Sequence, residues 1–95
     1  MKKTTLEDIR RKMALKKLRE IKARRPDTKL VVLFRDGVSY DVYGEDIETV
    51  RTAMQEAGIR PTNNVSYPDF LFKIQPVLSR QGIHIEFCDL LAPYS

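Results

Sequence analysis

The chain has 95 residues, 42% of them apolar and 32% charged, with one cysteine, one histidine and a formal net charge of +4. That length allows one domain with a modest core and leaves no second lobe to close over a substrate. No apolar run approaches the roughly 18 residues of a membrane helix, and the lone Cys88 excludes an internal disulfide framework.

The first segment, MKKTTLEDIRRK, is lysine-rich but lacks the apolar core of a signal peptide, so a cytoplasmic protein without membrane contact is expected. Residues 1–25 hold eleven Lys/Arg against three acids, which gives this basic arm +8 and the remainder −4. Such asymmetry points to a polyanionic partner, although basic helix faces also occur as ordinary solvated surface. Thr4-Thr5-Leu6-Glu7 has capping-box spacing, and a helix over about Leu6 to Ala23 is expected, ended by Pro26. At 100° per residue Leu6, Ile9, Met13, Ala14, Leu18 and Ile21 share one half of that helix, with Leu15 off the stripe. Lys12, Lys16 and Arg19, at i, i+4 and i+7, form an exposed ridge on the other side.

After Pro26-Asp27, the short continuous run Leu30-Val31-Val32-Leu33-Phe34 reads as a central strand covered on both faces. Asp36-Gly37 suits a two-residue type I′ hairpin loop, and residues 38–43 return beside the first strand. Alternation puts Val38, Tyr40 and Val42 on a core face and turns Ser39, Asp41 and Tyr43 the other way. Gly44-Glu45-Asp46 opens a second helix, its acids at the positive end of the dipole. Ile47, Val50, Met54 and Ala57 form its apolar stripe and Gly58 its end. A loop with a short strand near Val65 leads to a third helix, about Pro68 to Gln81. Its inward residues are Phe70, Leu71, Ile74, Val77 and Leu78, with a kink at Pro76. Ile83, Ile85 and Phe87 then alternate with His84, Glu86 and Cys88 in a half-buried strand. The pattern is αββα(β)αβ. It implies an α/β (α+β) fold with a small mixed β-sheet, a central hairpin and about three helices. Residues 1–25 are the basic N-terminal helix and 26–95 the α/β body of a single domain.

Catalytic patterns are missing. His84 and Cys88 share a strand face, but four residues at ~3.3 Å each separate them by about 13 Å, too far for a thiolate–imidazole pair. One His and one Cys do not supply a structural zinc set. Asp41, Glu45, Asp46 and Glu48 cluster in sequence, and acids at a helix start are far more often capping and solvation devices than catalytic pairs. No glycine-rich phosphate loop is present. No enzyme activity, cofactor or metal is expected.

The run Pro26-Asp27, the apolar strand, Phe34-Arg35-x-Gly37, Tyr40-Asp41-Val42-Tyr43 and Glu45-Asp46 resembles the N-terminal mismatch-recognition domain of the MutS DNA mismatch repair proteins. Val65-Ser66-Tyr67 stands where that family has V-P-Y, Pro76 to Gly82 is similar to its P-x-L-x-x-x-G, and Gly82 to Asp89 to its G-x-x-V-x-I-C-E. The resemblance runs from about residue 20 to residue 90. It implies a MutS domain I-like fold and a DNA-facing surface at Ser39 and Asp41, where the family carries a wedging Phe and a base-reading Glu. Serine has too little surface to unstack a base step, and aspartate is a methylene shorter than glutamate. The resemblance therefore implies a non-catalytic DNA-binding module without mismatch specificity, touching DNA weakly through charge at Ser39, Asp41, Lys12, Lys16 and Arg19. The alternative is a protein-interaction or accessory module that docks on an acidic partner protein through its N-terminal helix. If the ridge and the Ser39/Asp41 face form one continuous surface, a single DNA footprint is expected; if they lie opposite, the two faces serve different purposes.

Overall fold

The computed structural model describes residues 5–90. Four strands form one mixed sheet in the order β3-β2-β1-β4: β1 (Leu30–Asp36), β2 (Ser39–Asp41), β3 (Asn64–Ser66) and β4 (His84–Cys88). β1 runs parallel to β4, while β1/β2 and β2/β3 are antiparallel. The hairpin is central, and β1 is buried from Leu30 to Phe34, as a continuous apolar run requires of a strand covered on both faces.

Alternation along β1 divides the core. Leu30, Val32 and Phe34 meet Ala14, Leu18 and Ile21 of helix α1 (Leu6–Ala23) on one face. Val31 and Leu33 meet Val50, Ala53 and Met54 of α2 (Asp46–Glu56) on the other, together with Phe70, Ile74, Val77 and Leu78 of the third helical segment. The result is a compact α/β domain of three layers, with α1 alone on one side of the sheet.

The hairpin turns one residue later than the sequence suggests. Asp36 pairs with Ser39, so the loop is Gly37-Val38. Gly37 has φ +64° and no non-glycine among the described residues has positive φ. Positive φ at the first loop position only is the type II′ pattern, whereas type I′ needs it at both. The pairing slides by two residues, an even number that leaves every side chain on its expected face. Tyr40 and Val42 point to the α2 side as expected, but Val38, expected in the core, sits in the loop and is 86% exposed.

α1 has its expected limits, yet its cap and its buried stripe differ. Thr5 is the N-cap, with the Asp8 amide donating to its Oγ1 and its own amide donating to Asp8 Oδ2. Thr4 lies outside the described residues. Leu15, off the expected stripe, packs on the α1-side core, while Leu6, Ile9 and Met13 are exposed, Leu6 by 85%. The cause is Gly44 in the β2–α2 loop. A Cβ there would lie 3.0 Å from Leu18 Cδ2 and 3.2 Å from Leu15 Cδ2, so the loop presses on that flank of α1. Its φ of +63° also suits glycine alone.

α2 ends in a Schellman arrangement, with the Gly58 amide on the Gln55 carbonyl and the Ile59 amide on that of Met54. The third helical segment comprises α3 (Tyr67–Asp69), a π turn (Phe70–Ile74) and α4 (Gln75–Arg80). Pro76 lacks an N–H and its ring would strike the carbonyl four residues back. The wider turn, with the Gln75 amide on the Phe70 carbonyl, absorbs that conflict without breaking the segment. It also shifts the faces, leaving Leu71, expected inward, at the surface.

Candidate nucleic-acid interface

Ser39 and Asp41 lie on the same sheet face as Phe34, because Phe34 pairs with Asp41 and side chains two apart share a face. This is the face on which α1 packs. Asn64 of β3, opposite Asp41, joins the two: its Nδ2 donates to Asp41 Oδ1 at 2.6 Å and to Ser39 Oγ at 3.0 Å. Ser39 Oγ donates in turn to the Asp36 carbonyl. The second Asp41 oxygen is 3.4 Å from Arg10 Nη2 of α1. Arg10 also donates to the Tyr43 hydroxyl at 3.2 Å and to the Arg35 carbonyl at 3.1 Å.

This small network binds the first half of α1 to the hairpin. Burial acts to lower the Arg10 pKa, but the Tyr43 hydrogen bond and the nearby acids outweigh it and hold the guanidinium still more firmly charged. Burial lifts the Tyr43 hydroxyl above its ordinary value. Tyr43, on the same face as Ser39 and Asp41, packs edge-on against Phe34 with ring centroids 5.4 Å apart. A groove of about 850 Å³ runs between α1 and the β2/β3 side, past Arg10, Arg11, Asp41, Tyr43 and Asn64.

Lys12, Lys16 and Arg19 are exposed on the outer surface of α1. Among the described residues none of the three has a hydrogen bond or an ion pair. Arg11 is exposed as well, without a hydrogen bond or ion pair among the described residues, while the remaining cations of the helix are engaged: Arg10 as above, Lys17 with Glu20 at 3.9 Å, and Lys22 with Glu45 at 2.8 Å and Asp46 at 2.5 Å. The structure thus joins Ser39 to Asp41 but keeps the ridge apart from them. All five residues lie on one side of the sheet, with the body of α1 between the ridge and the Asp41 carboxylate.

Asp46 departs from the role that its place at a helix start implies. It was expected to serve as a solvated acid at a helix start, yet it is 2% exposed and caps nothing. One oxygen accepts the Val32 backbone N–H at 3.0 Å and the other the Lys22 ammonium. β2 pairs with β1 only from Phe34 to Asp36, so the β1 edge beside Val32 has no strand partner and Asp46 takes its place. Burial raises the Asp46 carboxyl above its ordinary value against the pull of Lys22 and Val32. Lys22 is held protonated, its hydrogen bonds to Asp46 and Glu45 overcoming the effect of burial.

On β4, His84 is exposed and Cys88 half-buried against the α1-side core, where burial raises its thiol pKa. Among the described residues no group of three His, Cys, Asp or Glu is placed to hold a metal ion, and no helix is long and apolar enough to cross a membrane. No protein-family model, curated protein or solved structure matches the chain.

Proposed function

We propose that this chain is a small non-catalytic module that binds nucleic acid through charge, on a MutS domain I-like fold, without reading mismatches. The observation that carries this is the Lys12, Lys16, Arg19 ridge: three exposed cations on one helix surface without acidic partners among the described residues, beside Arg10 and Lys22, which are committed to acids. Uncompensated cations in a row suit a phosphate backbone, and neutralising phosphates releases condensed counterions. The ordered resemblance of residues 20–90 to the MutS domain supports the fold type.

Ser39 and Asp41 contribute little to this binding. Serine offers no wedge, and the Asp41 carboxylate is occupied by Arg10 and Asn64. Unstacking a base step costs a few kcal/mol, which nothing on this face offsets. Matched and mismatched duplexes should therefore bind equally, in a titration of labelled duplexes against the protein. A clear preference for the mismatch would overturn the loss of specificity.

A second reading has its own observation. Leu6, Ile9 and Met13 are exposed along α1 at i, i+3 and i+7, the spacing at which a helix docks in a partner's groove. On that reading the helix meets an acidic protein, and replacing the three by Gln abolishes that contact while leaving duplex affinity unchanged.

A further inference from the structure

α1 packs alone on its side of the sheet, so its outer half stands clear of any neighbouring helix among the described residues. At 100° per residue that half is ordered. Lys12 and Arg19 fall within about 20° of each other on one flank, and Lys17 and Arg24 within about 20° on the other. The two pairs lie about 140° apart around the helix, and each spans about two turns. Lys16, Ile9, Glu20 and Met13 fill the crest between them, in that order around the axis. The flanking cations are exposed, and Ile9 and Met13 are exposed by 44% and 42%. Lys17 has an acidic partner, Glu20 at 3.9 Å, in an exposed pair of small worth that a phosphate can displace.

One phosphate backbone laid along the ridge occupies one flank and leaves Lys17 and Arg24 idle. Two cationic flanks with an apolar crest between them match two backbones with base edges between them. Building on the charge-driven nucleic-acid binding of the ridge, we propose that α1 enters the major groove of double-stranded DNA. Lys12, Lys16 and Arg19 meet one backbone, Lys17 and Arg24 the other, and Ile9 and Met13 the base edges. Dimensions select this ligand. A helix with its side chains is about 10–12 Å across, and the major groove of B-form DNA, about 12 Å wide and about 8.5 Å deep, admits one. The minor groove, about 6 Å wide, does not, and the major groove of A-form RNA is too narrow for side chains to read. A single strand has no second backbone for Lys17 and Arg24. The crest suits base edges, since apolar side chains meet the thymine methyl and a carboxylate such as that of Glu20 accepts from the cytosine amino group. The acids Glu7 and Asp8 lie in the first turn, before the stretch from Ile9 to Arg24, and Asp8 is committed to the cap.

The test is a titration against three labelled probes: a DNA duplex, the same duplex with glucosylated 5-hydroxymethylcytosine filling its major groove, and an RNA duplex of the same sequence. Glucosylation and RNA should each weaken binding at least about tenfold. Lys17→Gln with Arg24→Gln should fold as the wild type does, since both side chains are exposed and Gln has similar helix propensity. That variant should make the salt slope on the DNA duplex shallower by about 1.8, two contacts' worth, whereas Arg80→Gln, on the far side of the sheet, should leave it unchanged. Equal affinity for the three probes, or a folded Lys17→Gln/Arg24→Gln variant with the wild-type slope, would overturn the major-groove contact and leave charge binding by the ridge standing. Failure of all three probes to bind in a salt-dependent way would overturn that charge binding, and the groove contact with it.

Discussion

Asp46 offers the sharpest energetic test of the fold. Replacing it by Ala removes the acceptor for the Val32 N–H in the middle of the central strand. A buried donor left without a partner costs about 1–3 kcal/mol. Lys22 loses one of its two acids but keeps Glu45 at 2.8 Å and is partly exposed, so its share is under about 1 kcal/mol. The sum is about 1–4 kcal/mol. Asp46→Asn retains an oxygen for Val32 and loses only the attraction to Lys22, so it should cost under about 1 kcal/mol. Since the chain has no tryptophan, urea unfolding followed by far-UV circular dichroism is the suitable assay. An Ala variant within about 0.5 kcal/mol of wild type would refute the assigned hydrogen bond. An Asn variant as damaged as the Ala variant would show that charge, and not the acceptor for Val32, is what matters.

Gly44→Ala should lose about 2–4 kcal/mol, from positive φ and from a Cβ pressed on Leu15 and Leu18; thermal melting measures it, and an unchanged Tm would remove the close approach. Ser39→Phe should cost about 1 kcal/mol or less, because it gives up only peripheral hydrogen bonds, while Tyr40→Ser should cost about 2 kcal/mol, below the ~3–5 of a fully buried aromatic; the reverse order would mean that β2 faces the other way. Stability should fall in alkaline solution. Cys88 and Tyr43 are raised by burial, and Lys22 by hydrogen bonds that overcome burial. The native state therefore keeps protons that the unfolded chain releases. The stability they confer is full below the ordinary cysteine pKa and is lost as pH rises through the folded values, and a Tm that rises between about pH 8.5 and 11 would contradict those environments.

Local pattern made some of this fold legible and not the rest. The apolar run of β1, the stripe of α2 and the alternation of β4 announce their elements because burial on a sheet or helix face imposes a period. Ser39 and Asp41 share the face opposite Tyr40 for the same reason, because the slip in the hairpin loop is even, but α1 packs on that face, which the alternation alone turns outward. Tertiary contacts account for the misses. Arg10 and Asn64, which occupy Asp41, arrive from distant elements. Asp46 reads locally as a helix-start acid, and only the premature end of β2 pairing beside Val32 makes it a strand's partner. The orientation of α1 depends on the loop at Gly44, which no periodicity of the helix itself encodes. Pro76 signals a disturbance in the third helical segment but does not say that a π turn will absorb it.

The central functional claim is that Lys12, Lys16 and Arg19 meet phosphates. Its most direct test is one pair of titrations, wild type and the Lys12→Gln/Lys16→Gln/Arg19→Gln variant, against a labelled duplex at two salt concentrations. Glutamine matches the helix propensity of the cations, so the variant should fold as the wild type does by circular dichroism. Three phosphate contacts correspond to a salt slope of about −2.7, or a loss of about 40-fold in affinity for a fourfold rise in salt. The wild type should show at least that dependence and the triple variant should lose about three contacts' worth of it together with most of its affinity. A folded variant that binds duplex as tightly as the wild type, with the same salt slope, would contradict the assignment.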